Sequence, residues 1–112
     1  MADQRTVIGP LMRINGEIRT KEDLVVDGEV EGQMESENLV TVGPKGKVRA
    51  NIKARDVVIH GEVQGNVEVT QKISIREHGS LVGDVKSVGI SIDDGAYFKG
   101  SIELTRGEGK TK

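Results

Sequence analysis

An aliphatic residue, a polar one, a small one, a polar one and a second aliphatic recur in that order six times along the chain. The copies are Ile14-Asn15-Gly16-Glu17-Ile18, Val30-Glu31-Gly32-Gln33-Met34, Val48-Arg49-Ala50-Asn51-Ile52, Val63-Gln64-Gly65-Asn66-Val67, Leu81-Val82-Gly83-Asp84-Val85 and Phe98-Lys99-Gly100-Ser101-Ile102. Their starts step by 16, 18, 15, 18 and 17 residues. Between copies stands an aliphatic pair one residue apart: Leu24/Val26, Val40/Val42, Val57/Ile59, Ile73/Ile75 and Ile90/Ile92. Alternation at a period of two, with Val and Ile dominant, predicts short strands with one buried face. A helix would lose about 1 kcal/mol at each of the recurring glycines. Equivalent positions recur in the same chain direction, so each coil stacks in parallel on the one before, and the aliphatics form columns.

The turn chemistry agrees with such a coil. Asp27-Gly28, Lys45-Gly46, His60-Gly61, His78-Gly79 and Asp94-Gly95 follow the aliphatic pairs, and these glycines are expected to supply positive φ. From Val26 to Val30 and from Ile59 to Val63 is four residues; from Val42 to Val48 and from Ile75 to Leu81 is six. Alternate coils are therefore expected to carry a two-residue bulge at one corner, with Pro10 and Pro44 as corner residues. Inward positions do not fall every six residues, as a left-handed hexapeptide helix requires, and parallel crossovers are otherwise right-handed. The expected fold is all-β: a right-handed parallel β-helix, a three-sided β-solenoid of about six coils. Expected boundaries are a flexible N-terminal tail at residues 1–5, the β-helix at 6–104 and a disordered polar tail at 105–112.

Composition narrows the function. The chain has 112 residues, 15 glycines and no cysteine, and its only aromatics are Tyr97 and Phe98. An ordinary domain fills its core partly with aromatics; this one is left with similar-sized aliphatics, as a repetitive core demands. A net charge of −2 offers no basic field for nucleic acid. The absence of cysteine excludes disulfides and thiolate metal sites. No apolar run approaches the length of a membrane span, and Ala2 departs from the myristoylation pattern. A soluble cytoplasmic protein is expected.

Chemistry-bearing patterns are few. His60 and His78 stand one coil apart but share a turn column with Asp27, Lys45 and Asp94, so they read as turn residues rather than metal ligands. Gly43-Pro44-Lys45-Gly46-Lys47 lacks the glycine spacing and the Ser/Thr of a phosphate loop. Glu17, Glu29, Glu31, Glu62 and Glu68 alternate with inward aliphatics and should face water, away from any cleft that would tune them for catalysis. Met12, Met34 and Leu39 read as packing residues. No catalytic, cofactor-binding or metal residue is expected, and no cofactor.

The chain resembles the bactofilins, a family of bacterial polymer-forming proteins. The resemblance spans residues 6–104. It rests on the glycine-framed units from Gly28 to Gly32, Gly61 to Gly65 and Gly79 to Gly83, on Val42-Gly43-Pro44-Lys45-Gly46, and on Asp94-Gly95-Ala96-Tyr97-Phe98-Lys99-Gly100. It implies a right-handed β-helix that polymerises spontaneously into non-polar filaments, with roles in cell shape, wall synthesis or polar organisation. Family members often carry an N-terminal membrane-targeting segment; Met1-Ala2-Asp3-Gln4-Arg5 is charged and departs from it. The implied partners are further copies of the same chain, together with cell-wall or polarity proteins. The implied location is the cytoplasm, with the inner face of the membrane as the alternative.

Physics points the same way. The end coils of a solenoid leave strand edges and apolar columns uncovered unless something caps them. Polymer contacts are expected at Ile8, Leu11, Met12 and Ile14 at one end and at Tyr97, Phe98, Ile102 and Leu104 at the other. The plainer role for Phe98 is core filling. Two rivals are a hexapeptide-repeat enzyme of the acyltransferase or carbonic-anhydrase type and a monomeric adaptor whose ends other proteins cap.

Overall fold

The computed structural model describes residues 5–104. The expected tails, at residues 1–4 and 105–112, lie outside these. Arg5, expected in the N-terminal tail, instead opens the first strand. Eleven strands run through the described residues: β1 (Arg5–Ile8), β2 (Arg13–Thr20), β3 (Asp23–Val26), β4 (Glu29–Ser36), β5 (Leu39–Val42), β6 (Lys47–Ile59), β7 (Glu62–Gln64), β8 (Val67–Ile75), β9 (Ser80–Ser87), β10 (Gly89–Ile92) and β11 (Tyr97–Leu104). Every pairing is parallel and joins a strand to its equivalent one coil away. The chain is a β-solenoid of six turns.

Three faces result. The first stacks residues 13–15, 29–31, 47–49, 62–64, 80–82 and 97–99. The second stacks the segments that begin at Glu17, Gln33, Asn51, Val67, Asp84 and Ser101. The third stacks β1, β3, β5, the end of β6, the end of β8, and β10. Register places Ile14 on Val30, Val30 on Val48, Val48 on Val63, Val63 on Leu81 and Leu81 on Phe98, the columns expected from the repeat.

Coil length is set at two corners. The six-residue corners at 8–14, 42–48, 75–81 and 92–98 each contain a turn. In these turns the N–H of Met12, Gly46, Gly79 and Ala96 donates to the carbonyl of Gly9, Gly43, Arg76 and Asp93, at 3.1, 2.9, 2.8 and 3.1 Å. Pro10 and Pro44 sit in two of these turns. The expected alternation holds for five coils and fails at the sixth, where two long corners follow one another. The other source of variation is the corner between the second and third faces, where the β6–β8 register shifts between Ala54 and Asp56. Two inward serines serve that corner. Ser36 Oγ donates to the Glu22 carbonyl at 2.9 Å and accepts from the Asn38 N–H at 3.1 Å; Ser87 Oγ donates to the Gly89 carbonyl. Short hydroxyl side chains thus stand in for backbone partners where the strand bends.

The turn glycines work differently from the expectation. Of the five, only Gly95 has positive φ, at 89°. Gly28, Gly46, Gly61 and Gly79 are needed for space: a Cβ at Gly61 would overlap the Gly43 carbonyl oxygen of the coil below. Positive φ falls instead in the small-residue column between the first and second faces, at Gly16, Gly32, Gly65, Gly83 and Gly100, with values of 118–143°. At Gly32, Gly65, Gly83 and Gly100 a Cβ would also strike the carbonyl of the residue beneath.

One non-glycine residue, His78, has φ of 71°. It is the third residue of the turn closed by Gly79, and its side chain is exposed, with Nε2 3.9 Å from the Glu77 carboxylate. A left-handed conformation costs a non-glycine residue on the order of 1 kcal/mol. His78→Gly is expected to raise stability by at most about 0.5 kcal/mol, the strain relief slightly exceeding the added chain entropy. Thermal unfolding checks this; a lower Tm would contradict it.

Candidate assembly ends

The inner coils are sealed, with Leu24, Val26, Val40, Val42, Val57, Ile59, Ile73, Ile75 and Leu81 wholly inaccessible. Burying each such side chain stabilises by about 1.5–3 kcal/mol before entropy. The end coils carry the same columns with one neighbour missing. At the N-terminal end, β1 pairs only with β3 and β2 only with β4. At the C-terminal end, β10 pairs only with β8 and β11 only with β9. Among the described residues no helix occurs and no strand covers either end.

Six of the eight expected contact residues fall into three groups. Ile14 and Phe98 lie in the end positions of one inward column, half-buried, each packed on one side only. Ile102 and Leu104 are exposed in β11 at the C-terminal end, at 37% and 56%. Leu11 and Met12 are exposed in the turn before β2. Ile8, by contrast, is 2% accessible and belongs to the packed core, so it presents little surface to a partner. Tyr97 is exposed but alternates with inward Phe98, so it points out from the side of the first face rather than along the axis.

Two further residues belong to these ends. Ile18 stands half-buried above Met34, and Ile92 stands 45% exposed on Ile75. Both could be found by carrying the repeat columns into the first and last coils.

The flanks are polar. Down the second face Arg19, Glu35, Lys53, Glu68, Lys86 and Glu103 alternate in sign from coil to coil. Arg19 Nε lies 3.4 Å from Glu35 Oε1, and on the first face Arg13 Nε lies 3.2 Å from Glu29 Oε1. Exposed pairs of this kind contribute at most about 1 kcal/mol each. Their effect is to keep the first and second faces hydrated. His60 closes β6, with its N–H bonded to the Val42 carbonyl, whereas His78 sits within a turn. No group of three His, Asp or Glu able to hold a metal occurs among the described residues. Among the described residues no helix is long and apolar enough to cross a membrane.

A solenoid whose end strands and end columns are uncovered among the described residues belongs to the class of solenoids open to association through their ends. The family model for bactofilins, described as polymer-forming cytoskeletal proteins, matches residues 6–103, and the chain belongs to that family. It is 55% identical over 98 residues to bactofilin BacN of Myxococcus xanthus, covering 88% of this chain and 87% of BacN. It is 39% identical to BacO of the same organism over 99 residues, covering 88% of this chain and 79% of BacO. BacP is 35% identical over 99 residues, and there the chain spans only 41% of the relative's length. The fold also matches a bactofilin of Thermus thermophilus solved as double helical filaments, with TM-score 0.85 and 31% identity, covering 89% of this chain and 99% of that one.

Proposed function

We propose that this protein is a cytoskeletal scaffold whose subunits join end to end, continuing the solenoid from one molecule to the next without a nucleotide. The observation that carries this reading is the pair of open ends, each a set of singly paired strands over an apolar column. Stacking another coil there satisfies the edge N–H and C=O groups and covers Ile14, Ile18, Phe98, Ile92 and Ile102 in one step. Two such filaments pair, as in the double helical filaments of the Thermus relative. The polymer serves cell shape or the organisation of wall synthesis or of a cell pole, in the cytoplasm or against the inner face of the membrane, and cell-wall or polarity proteins are its clients.

Negative-stain microscopy of the purified full chain without added nucleotide tests the assembly. Filaments are expected. A sharp 12.1-kDa species across all concentrations would overturn the reading in favour of a capped adaptor.

A further inference from the structure

The three sides of the rod are not equivalent. The middle outward column of the second face is the six-charge ladder from Arg19 to Glu103. The corresponding column of the third face is Val7, Val25, Thr41, Val58, Ser74 and Ser91, aligned coil on coil and without a single charge. Val7 is exposed, and the other five are half-buried. Beside this column Leu39, which the sequence reading takes for a packing residue, faces outward between Asp23 and Asp56. Short β-branched and hydroxyl side chains make a level stripe along the whole rod.

We propose that the third face is the seam along which two filaments of this protein pair side by side, a proposal that rests on the filament reading above. The area available says why the occupant is another filament of the same chain. Six strands at about 4.8 Å spacing, each about 13 Å wide, present roughly 400 Å² per subunit. Two such faces bury about 800 Å² in all, below the roughly 1,200 Å² of a stable pairwise interface. Free subunits therefore do not dimerise through the seam. A filament repeats the stripe at every subunit, and the second contact along a joined pair is intramolecular, so weak contacts add up. A second stripe with the same strand spacing meets the first in step along its whole length.

The test compares the parent chain with Val25→Lys plus Val58→Lys, which puts charge in the middle of the stripe and leaves both ends untouched. Cryo-electron micrographs are expected to show paired filaments for the parent and single filaments for the variant, with at least a tenfold fall in the paired fraction. Thr41→Glu, a single change at mid-stripe, should do the same and serves if the double variant fails to fold. Glu35→Lys on the second face should leave pairing intact. Pairs that persist in the stripe variants, loss of pairing in Glu35→Lys alone, or a parent chain that forms only single filaments would each overturn the seam. A parent chain that forms no filament at all would overturn the polymer reading and the seam with it.

Discussion

A chain carrying Phe98→Arg and Ile102→Lys is expected to remain a folded monomer of 12.1 kDa under conditions in which the parent chain forms filaments. Both residues end inward columns, Phe98 on Leu81 and Ile102 on Val85, with no coil beyond them among the described residues. In the monomer each charged head can turn toward water through the open end, so the stack loses only part of one layer of packing. In a joint, the same heads would be enclosed between two apolar layers. An enclosed charge without a matched partner costs several kcal/mol, more than one end contact supplies in surplus. Sedimentation checks the size and circular dichroism the fold. Filaments of undiminished length from the double variant would remove Phe98 and Ile102 from the joint. Ile102→Lys alone, at a position already 37% exposed, gives the cleaner comparison should the pair unfold.

Gly83→Val is expected to damage the fold itself. Gly83 adopts φ of 137°, and a Cβ there would overlap the Gly65 carbonyl oxygen of the preceding coil. Backbone strain of about 1–3 kcal/mol and overpacking of similar size act together. For a domain whose whole stability is of order 5–15 kcal/mol, that predicts a fall in Tm of roughly 15 °C or more. Gly16 provides the control. Its φ is similar, at 143°, yet a Cβ there meets nothing, because among the described residues no strand stacks beneath β2 on that side. Gly16→Ala should cost the monomer less than Gly83→Ala, but its methyl group projects from the N-terminal end, where a joining subunit would sit. Reduced assembly with a nearly unchanged Tm is the expected signature. Equal Tm losses at the two positions would show that the carbonyl contact is not what matters.

Much of this architecture was legible in the residues because a solenoid makes long-range pairing a matter of local spacing. The column from Ile14 to Phe98 could be written down from the repeat, and the register bears out each step. What stayed hidden depended on three-dimensional closeness between coils. The demand for Gly61 comes from the Gly43 carbonyl, a residue eighteen positions earlier. The positive φ at Gly32 and Gly83 marks the bend between two faces, which aliphatic spacing alone does not locate. His78 took the strained position in its turn where a glycine was expected to take it, because Gly79 is held against the Ile59 carbonyl. At the ends, the repeat places Phe98 and Ile102 in the last coil of their columns, where the register has them. Ile18 opens the column that Ile102 ends, and Ile92 ends the column that Ile8 opens, so the repeat places both as well. The level stripe of the third face was also in the sequence, but its meaning appears only once Val25, Thr41 and Val58 are seen to stand above one another.

The variable corners have a consequence for how such a rod can change size. Length differences between coils are confined to two bends, while the stacked layers keep a common footprint whether a turn uses 15 residues or 18. Copying the stretch from Val30 through Glu62 in tandem would therefore insert two complete storeys, about 10 Å of extra height, and leave the topmost and bottommost layers as they are. Subunit height and the means of joining subunits are separate variables in this molecule. A lineage could lengthen its building block by duplication without redesigning the joint.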